Sequence, residues 1–209
     1  KKKGFKCFCF IFNYGQRHVR EINSAKKIAQ AVGCEYKVVK IELPWKGSSL
    51  LDKKMRLPPA ACRLPSAIPS TYVPARNIIF LSFALSFAEA IGARAIYIGS
   101  HAQDYSGYPD CRPEFYQAFV KAAKTGTRAG VEGDPIRIIA PLIRMNKARI
   151  ISLGARLGVP FALTWSCYRG TKRPCGECDS CYFRAKGFRE AGIEDPLFSS
   201  WCKSNRAPA

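Results

Sequence analysis

Four cysteines toward the C-terminal end carry the densest chemistry in this chain. Cys175, Cys178 and Cys181 stand three residues apart, and Cys167 lies eight residues before the first of them. Soft thiolates in short Cys-x-x-Cys steps wrap a tetrahedral ion held about 2.3 Å from each sulfur. Gly176 frees the backbone where the chain must turn between two ligands, and Pro174 stiffens the approach. The spacing predicts one closed, structural zinc site with all four as ligands. Its rivals are two disulfides, which need an oxidising compartment, and an iron–sulfur cluster.

Three polar groups come next. Tyr14, Gly15, Gln16, Arg17 and His18 follow an apolar run and precede a helical pattern. At such a junction free N–H groups and the helix dipole favour an anion, and Arg17 and His18 would add donors. The alternative is an ordinary helix start with a solvated arginine. Pro74, Ala75, Arg76 and Asn77 open a second helix, where a cation opposes the dipole and so hints at a task. The third group runs from Asp104 to Arg112 and packs two aspartates, two tyrosines and an arginine around Gly107 and Pro109. Carboxylates accept hydrogen bonds from a purine-like edge, and tyrosines stack on flat heterocycles. Lys147, at the start of a later helix, reads equally as a phosphate ligand or a solvated side chain.

The elements that must position these groups alternate. Phe5 to Phe12 reads as a strand apolar on both faces, followed by a helix with Val19, Ile22, Ala25, Ile28, Ala29 and Val32 in register and Gly33 as its stop. Tyr36 to Leu43 is the next strand. Residues 44–74 hold six prolines without periodicity, the pattern of an ordered lid or a disordered insertion. A helix from Arg76 to Ile91 is expected to bury Ile79, Phe80, Phe83, Phe87 and Ala90. Ala95 to Ile98 and Ile136 to Ala140 read as strands; Pro113 to Arg128 and Ser180 to Ala191 read as helical, and Pro141 to Leu157 leads into an amphipathic helix that Lys147 opens. Such alternation predicts an α/β fold, a parallel sheet with helices on both faces. Ligands of such sheets bind at the carboxyl ends of the strands, where the 99–112 segment lies. The expected division is an α/β domain over 1–163 and a zinc-binding appendage over 164–209.

The 209 residues carry 34 Lys and Arg against 15 Asp and Glu, a net charge of +19 that favours polyanions without naming one. No stretch reaches the roughly 20 apolar residues of a membrane span. The other six cysteines (Cys7, Cys9, Cys34, Cys62, Cys111, Cys202) are scattered, as free thiols in a reducing cytoplasm would be.

Taken together and in order, Tyr14 to His18, Tyr72 to Asn77, Asp104 to Arg112, Leu163 to Tyr168 and Pro174 to Cys181 resemble the 7-cyano-7-deazaguanine synthase family of queuosine biosynthesis. The resemblance runs from about Gly4 to Phe198. It implies an adenine-nucleotide α-hydrolase-like fold of the ATP-pyrophosphatase type with a structural zinc. It implies a ligase that converts 7-carboxy-7-deazaguanine and ammonia to the nitrile, preQ0, with ATP and Mg²⁺. The carboxylate would be adenylated, ammonia would displace AMP to give an amide, and a second activation would permit dehydration. By the same resemblance Lys147 and Arg76 would be catalytic, and Asn77, Asp104, Tyr105, Tyr108, Asp110 and Arg112 would bind the deazapurine. Tyr14, Gln16, Arg17 and His18 would hold the nucleotide, in a cytoplasmic homodimer. The family's first strand precedes a Ser-Gly-Gly-x-Asp-Ser phosphate loop that has no counterpart here, so either a truncated N-terminus or a variant without that loop is expected, and the lysine-rich start favours truncation. A non-catalytic, zinc-containing RNA-binding module is the reading from another class, and the net charge motivates it.

Overall fold

A computed structural model describes residues 4–17, 19–60, 68–101 and 107–198. The chain divides into two compact units, Lys1–Arg63 with Lys147–Ala209, and Leu64–Asn146. This division does not fall at the expected boundary between residues 163 and 164. The helices on either side of that boundary pack against each other and belong to one unit.

In the first unit, β1 (Phe8–Asn13) pairs in parallel with β2 (Glu35–Lys40), with Phe8 opposite Glu35 and Asn13 opposite Lys40. The crossover is α1 (Arg20–Ala31), whose Ile22 and Ala29, two turns apart on one face, are buried. Gly33 ends the helix at φ 61°, and the Cys34 N–H reaches back to the Ala29 carbonyl at 2.8 Å. That is the Schellman arrangement, which needs a left-handed residue and so selects glycine. β1 starts three residues later than expected and is not apolar-buried on both faces. Only Ile11 in it is buried, and Phe5 is exposed.

Two later helices of this unit, α5 (Lys147–Leu157) and α6 (Asp179–Glu190), cross at a glycine. A Cβ on Gly187 would stand 2.6 Å from Lys147 Cβ and 3.0 Å from Ile151 Cδ1, so no larger residue fits without movement. Helix α5 begins at Lys147, the residue expected to open it, after turns closed by Ile143 to Ala140 and Met145 to Leu142 hydrogen bonds. The Phe161 ring meets Phe188 edge to face at 5.2 Å.

The second unit holds α2 (Arg76–Ala90), β3 (Ala95–Tyr97), α3 (Pro113–Gly126), the short α4 (Arg128–Val131) and β4 (Arg137–Ile139). β3 and β4 pair in parallel, so every strand pairing among the described residues is parallel, with helices between. Leu85, Ala88, Ala123 and Ile136 form its core, with Ile96, Phe119 and Ile138 packed on them. The buried face of α2 is Asn77, Leu81, Leu85 and Ala88, not the expected Ile79–Phe80–Phe83–Phe87–Ala90 stripe. Phe83 is 45% exposed. The helix is apolar on most of its circumference, so periodicity did not mark a face and packing chose one. The predicted helix over Pro113 to Arg128 breaks at Thr127, whose extended backbone lets its hydroxyl accept from Gly130 N and donate to the Ala123 carbonyl.

Of the 44–74 segment, residues 44–60 and 68–74 are described. Ser48 and Ser49 have no exposed surface, and Leu50 and Leu57 are buried, so this irregular stretch is packed. No described helix is long and apolar enough to cross a membrane.

Candidate metal centre and substrate loop

The four predicted sulfurs come together. Cys167, Cys175, Cys178 and Cys181 place their Sγ atoms within 4.8 Å of one another, and all but Cys175 are buried. Bonds of about 2.3 Å to one tetrahedral ion set sulfurs about 3.8 Å apart. Cys175 and Cys181 stand at 3.9 Å. All four are free thiols, which removes the two-disulfide alternative. Among the described residues no other group of three or more potential ligands gathers in this way.

Local folding explains the convergence. Gly176 turns at φ 76°, and Cys178 stands in extended conformation just before α6, so Cys181 falls in the first helical turn. There the dipole favours thiolate. Backbone N–H groups of Arg169 and Cys175 point at Cys167 Sγ, both at 3.4 Å, and that of Cys178 points at Cys175 Sγ at 3.4 Å. Such donors spread sulfur charge and orient the ligands. Cys167 is held down to about 3, chiefly by hydrogen bonds from the Cys178 and Cys181 thiols, while burial opposes the shift. Cys181 is pushed up, first through its hydrogen bond to Cys167. A cation among the sulfurs would replace those thiol protons, so metal binding and proton release are coupled.

Three supports fix this loop. The Trp165 indole N–H donates to the Cys167 carbonyl at 3.0 Å, and the Arg20 guanidinium lies 4.3 Å from the centre of the Trp165 ring while donating to Thr171 O at 2.9 Å. Pro59 bridges to Cys178, and Ala60 N–H donates to Glu177 O at 3.0 Å. The third support is Arg184, buried and three residues past Cys181. It grips Asp195 with two hydrogen bonds of 2.6 and 2.8 Å and reaches Thr164 Oγ1 at 2.8 Å. Sequence reasoning missed Arg184. Its only signal was a position on the ligand-bearing face of α6, and its partner lies beyond the helix end.

The predicted nucleotide group is placed in part. Tyr14 and Gln16 are buried, and Gln16 closes the turn into α1: Tyr14 N–H donates to its Oε1 at 2.9 Å, and its Nε2 donates to Glu21 at 2.9 Å and to the Phe12 carbonyl. The Arg17 guanidinium donates to the carbonyls of Lys53 and Met55, the latter at 3.1 Å, and its N–H to Leu50 O at 2.8 Å. Arg17 thus anchors the 48–55 stretch. His18 lies outside the described residues, as do Asp104 and Tyr105.

The remaining substrate residues form a second network. Asp110 is buried, and its Oδ2 accepts from the Asn77 N–H at 2.8 Å. Asn77 Nδ2 donates back to the Asp110 carbonyl at 3.1 Å and to Cys111 Sγ at 3.0 Å. Helix α2 has no side-chain cap of its own, since Ala75 precedes it at φ 54°, so Asp110 supplies the missing cap from 33 residues away. A left-handed alanine costs about 1–2 kcal/mol. Tyr108 OH meets Thr71 Oγ1 at 2.7 Å, and its ring lies 6.1 Å from that of Tyr72 at 30°. Thr71, Tyr72 and Cys111 are the members the sequence did not assign. Arg112 is exposed at the start of α3, Arg76 is the first residue of α2, and Lys147 is half-buried at the start of α5.

Whole-chain comparisons show which family this chain is similar to. The family model described as queuosine biosynthesis protein QueC matches residues 1–192. A protein of Trichodesmium erythraeum named 7-cyano-7-deazaguanine synthase is 52% identical over 201 residues, covering 94% of this chain and 90% of its own length. Proteins of the same name from a Nostoc species and from Thermoplasma acidophilum are 50% and 49% identical, covering 97% and 93% of this chain and 90% and 82% of their own lengths.

Proposed function

The chain belongs to the family of the queuosine biosynthesis protein QueC, and from that premise we propose that it is a 7-cyano-7-deazaguanine synthase. It is a carbon–nitrogen ligase of queuosine biosynthesis with the ATP-pyrophosphatase-type fold of that family. The observation that carries this is about half identity to synthases along more than nine-tenths of the chain. The reaction in this reading joins 7-carboxy-7-deazaguanine and ammonia at the expense of ATP, with Mg²⁺ on the phosphates. A carboxylate oxygen leaves poorly until AMP is attached, so activation must precede attack by ammonia. Positive charge then steadies the separating phosphates. Arg76 and Lys147, each opening a helix, are the residues we assign to that charge.

The Tyr72–Tyr108 pair supports stacking of a flat deazapurine, with Arg112 exposed nearby in sequence for its carboxylate. Asn77 and Asp110 hydrogen-bond each other through the Asn77 N–H and Nδ2 and the Asp110 Oδ2 and carbonyl, so in this reading they also hold the loop that presents Tyr108. Asp104 and Tyr105 keep the substrate role, and Tyr14, Gln16, Arg17 and His18 shape the nucleotide side. Zn²⁺ is the ion we assign to the four cysteines, and once bound it cross-links the loop and performs no step of the reaction. A homodimer in a reducing cytoplasm completes the assignment; light scattering at assay concentration tests the assembly. Full-length protein, given ATP, ammonium and 7-carboxy-7-deazaguanine, is expected to yield the nitrile and AMP by chromatography. Absence of both products with metal-replete, folded protein would overturn the assignment.

A further inference from the structure

The segment from Tyr108 to Arg112 is tied to Thr71 and Asn77, and it has one further tie that no role yet explains. Tyr116 OH lies 2.5 Å from Ser100 Oγ, and both residues are buried. Ser100 stands at the carboxyl end of β3, whose pairing with β4 runs on through the Ile98 N–H to the Ile139 carbonyl at 3.0 Å. Ligands of parallel sheets gather at that end of the strands. Tyr116 stands in the first turn of α3, with its N–H directed at the Arg112 carbonyl at 3.4 Å. A helical side chain leans back over the turn before its own Cα, here the turn that Arg112 opens. From Arg112 the chain is held stepwise. Its N–H donates to the Pro109 carbonyl at 3.3 Å, and the Cys111 N–H donates to the Tyr108 carbonyl at 3.1 Å. The Ser100–Tyr116 contact therefore joins the end of a strand to the residues assigned to the deazapurine acid.

We propose, resting on the synthase reading, that Ser100 and Tyr116 are positioning residues for the deazapurine acid. Their hydroxyl pair fixes the start of α3 against the end of β3, and so sets Tyr108 and Arg112 where the acid is bound. Removing either oxygen strands the other hydroxyl in the interior, where an unmade hydrogen bond is costly, and frees the first turn of α3 to shift. Tyr108 keeps its tie to Thr71 and Asp110 its tie to Asn77, so the loop is loosened and not released. The start of α2, with Arg76, stays in place for the same reason. The effect therefore falls on recognition of the acid and spares ATP.

The test compares full-length wild type with Ser100→Ala, Tyr116→Phe and the double variant, which remove hydroxyl oxygens and little else. Steady-state rates give KM for 7-carboxy-7-deazaguanine and for ATP, calorimetry gives the affinity for the acid alone, and thermal melts follow folding. Each single variant is expected to raise KM for the acid, and to weaken its binding, about three- to tenfold, the size of one hydrogen bond. KM for ATP should stay unchanged. The double variant should lose no more than the single ones, because the two hydroxyls act as one pair. An unchanged KM for the acid, or equal losses for acid and ATP, overturns the proposal. So does unfolding of both single variants, which would leave the pair a purely structural role. A wild type that neither binds the acid nor forms the nitrile overturns the synthase reading itself, a result visible before any variant is made.

Discussion

The metal loop and the loop from Gly107 to Arg112 are held by opposite strategies. In the first, the four cysteines lie within fifteen residues, and local turns bring their sulfurs together. In the second, Asp110 and Tyr108 find partners, Asn77 and Thr71, that lie 33 and 37 residues away. One loop gathers its own sulfurs and is then braced from outside by Arg20, Pro59 and Ala60. The other is tied to a distant helix start. The difference teaches that ligand spacing can encode a site directly, whereas a polar loop is defined only by what it is docked against.

Removing a ligand is the largest blow to the first strategy. Cys175→Ser, or a strong chelator, is expected to abolish metal content and melt the 164–198 region, because apparent binding energies of structural zinc run to about 10–16 kcal/mol. Metal analysis and thermal melts check this; the wild-type melting curve at zero metal would break the comparison. Next is Arg184→Ala, which leaves Asp195 buried and unpaired and is expected to cost about 3–5 kcal/mol by denaturant titration. A cost under 1 kcal/mol would mean that the metal alone holds the loop.

Gly187→Ala probes the helix crossing under the same loop. The added methyl meets Lys147 Cβ and Ile151, so a loss of about 1–3 kcal/mol is expected by chemical denaturation. Asp110→Ala sharpens the other side of the comparison. It removes the cap of α2 at a cost of about 1–2 kcal/mol and should lower kcat/KM for the deazapurine while metal content stays unchanged. Smallest is Tyr108→Phe, which loses the Thr71 hydrogen bond, about 1 kcal/mol, but keeps the ring. Its kcat/KM should fall less than that of Tyr108→Ala; equal losses would argue against stacking.

Much of the fold was legible. Helix α1 and its stop at Gly33, the alternation of strands and helices, and the parallel pairing follow from periodicity and punctuation. The face of α2 was not legible, since Phe83 and Leu85 are equally apolar and only one meets Ala123 and Ile136 across the core. At the four-cysteine cluster all four sulfurs were legible, but Arg184 and Asp195 were not. Arg17 was read as an anion ligand from its type, and its carbonyl partners at Lys53 and Met55 could not be foreseen from an irregular stretch.

By itself, then, the sequence determined which atoms can bind an ion and where helices start and stop, because those depend on residue type and on neighbours a few positions away. Only the tertiary structure decided that Asp110 caps α2 and that Arg184 locks to Asp195. Each of these is a hydrogen bond between groups far apart in sequence or in separate elements. Burial makes such a pairing obligatory, since an unpaired polar group in the interior costs several kcal/mol at most sites. Burial alone does not say which partner will be met.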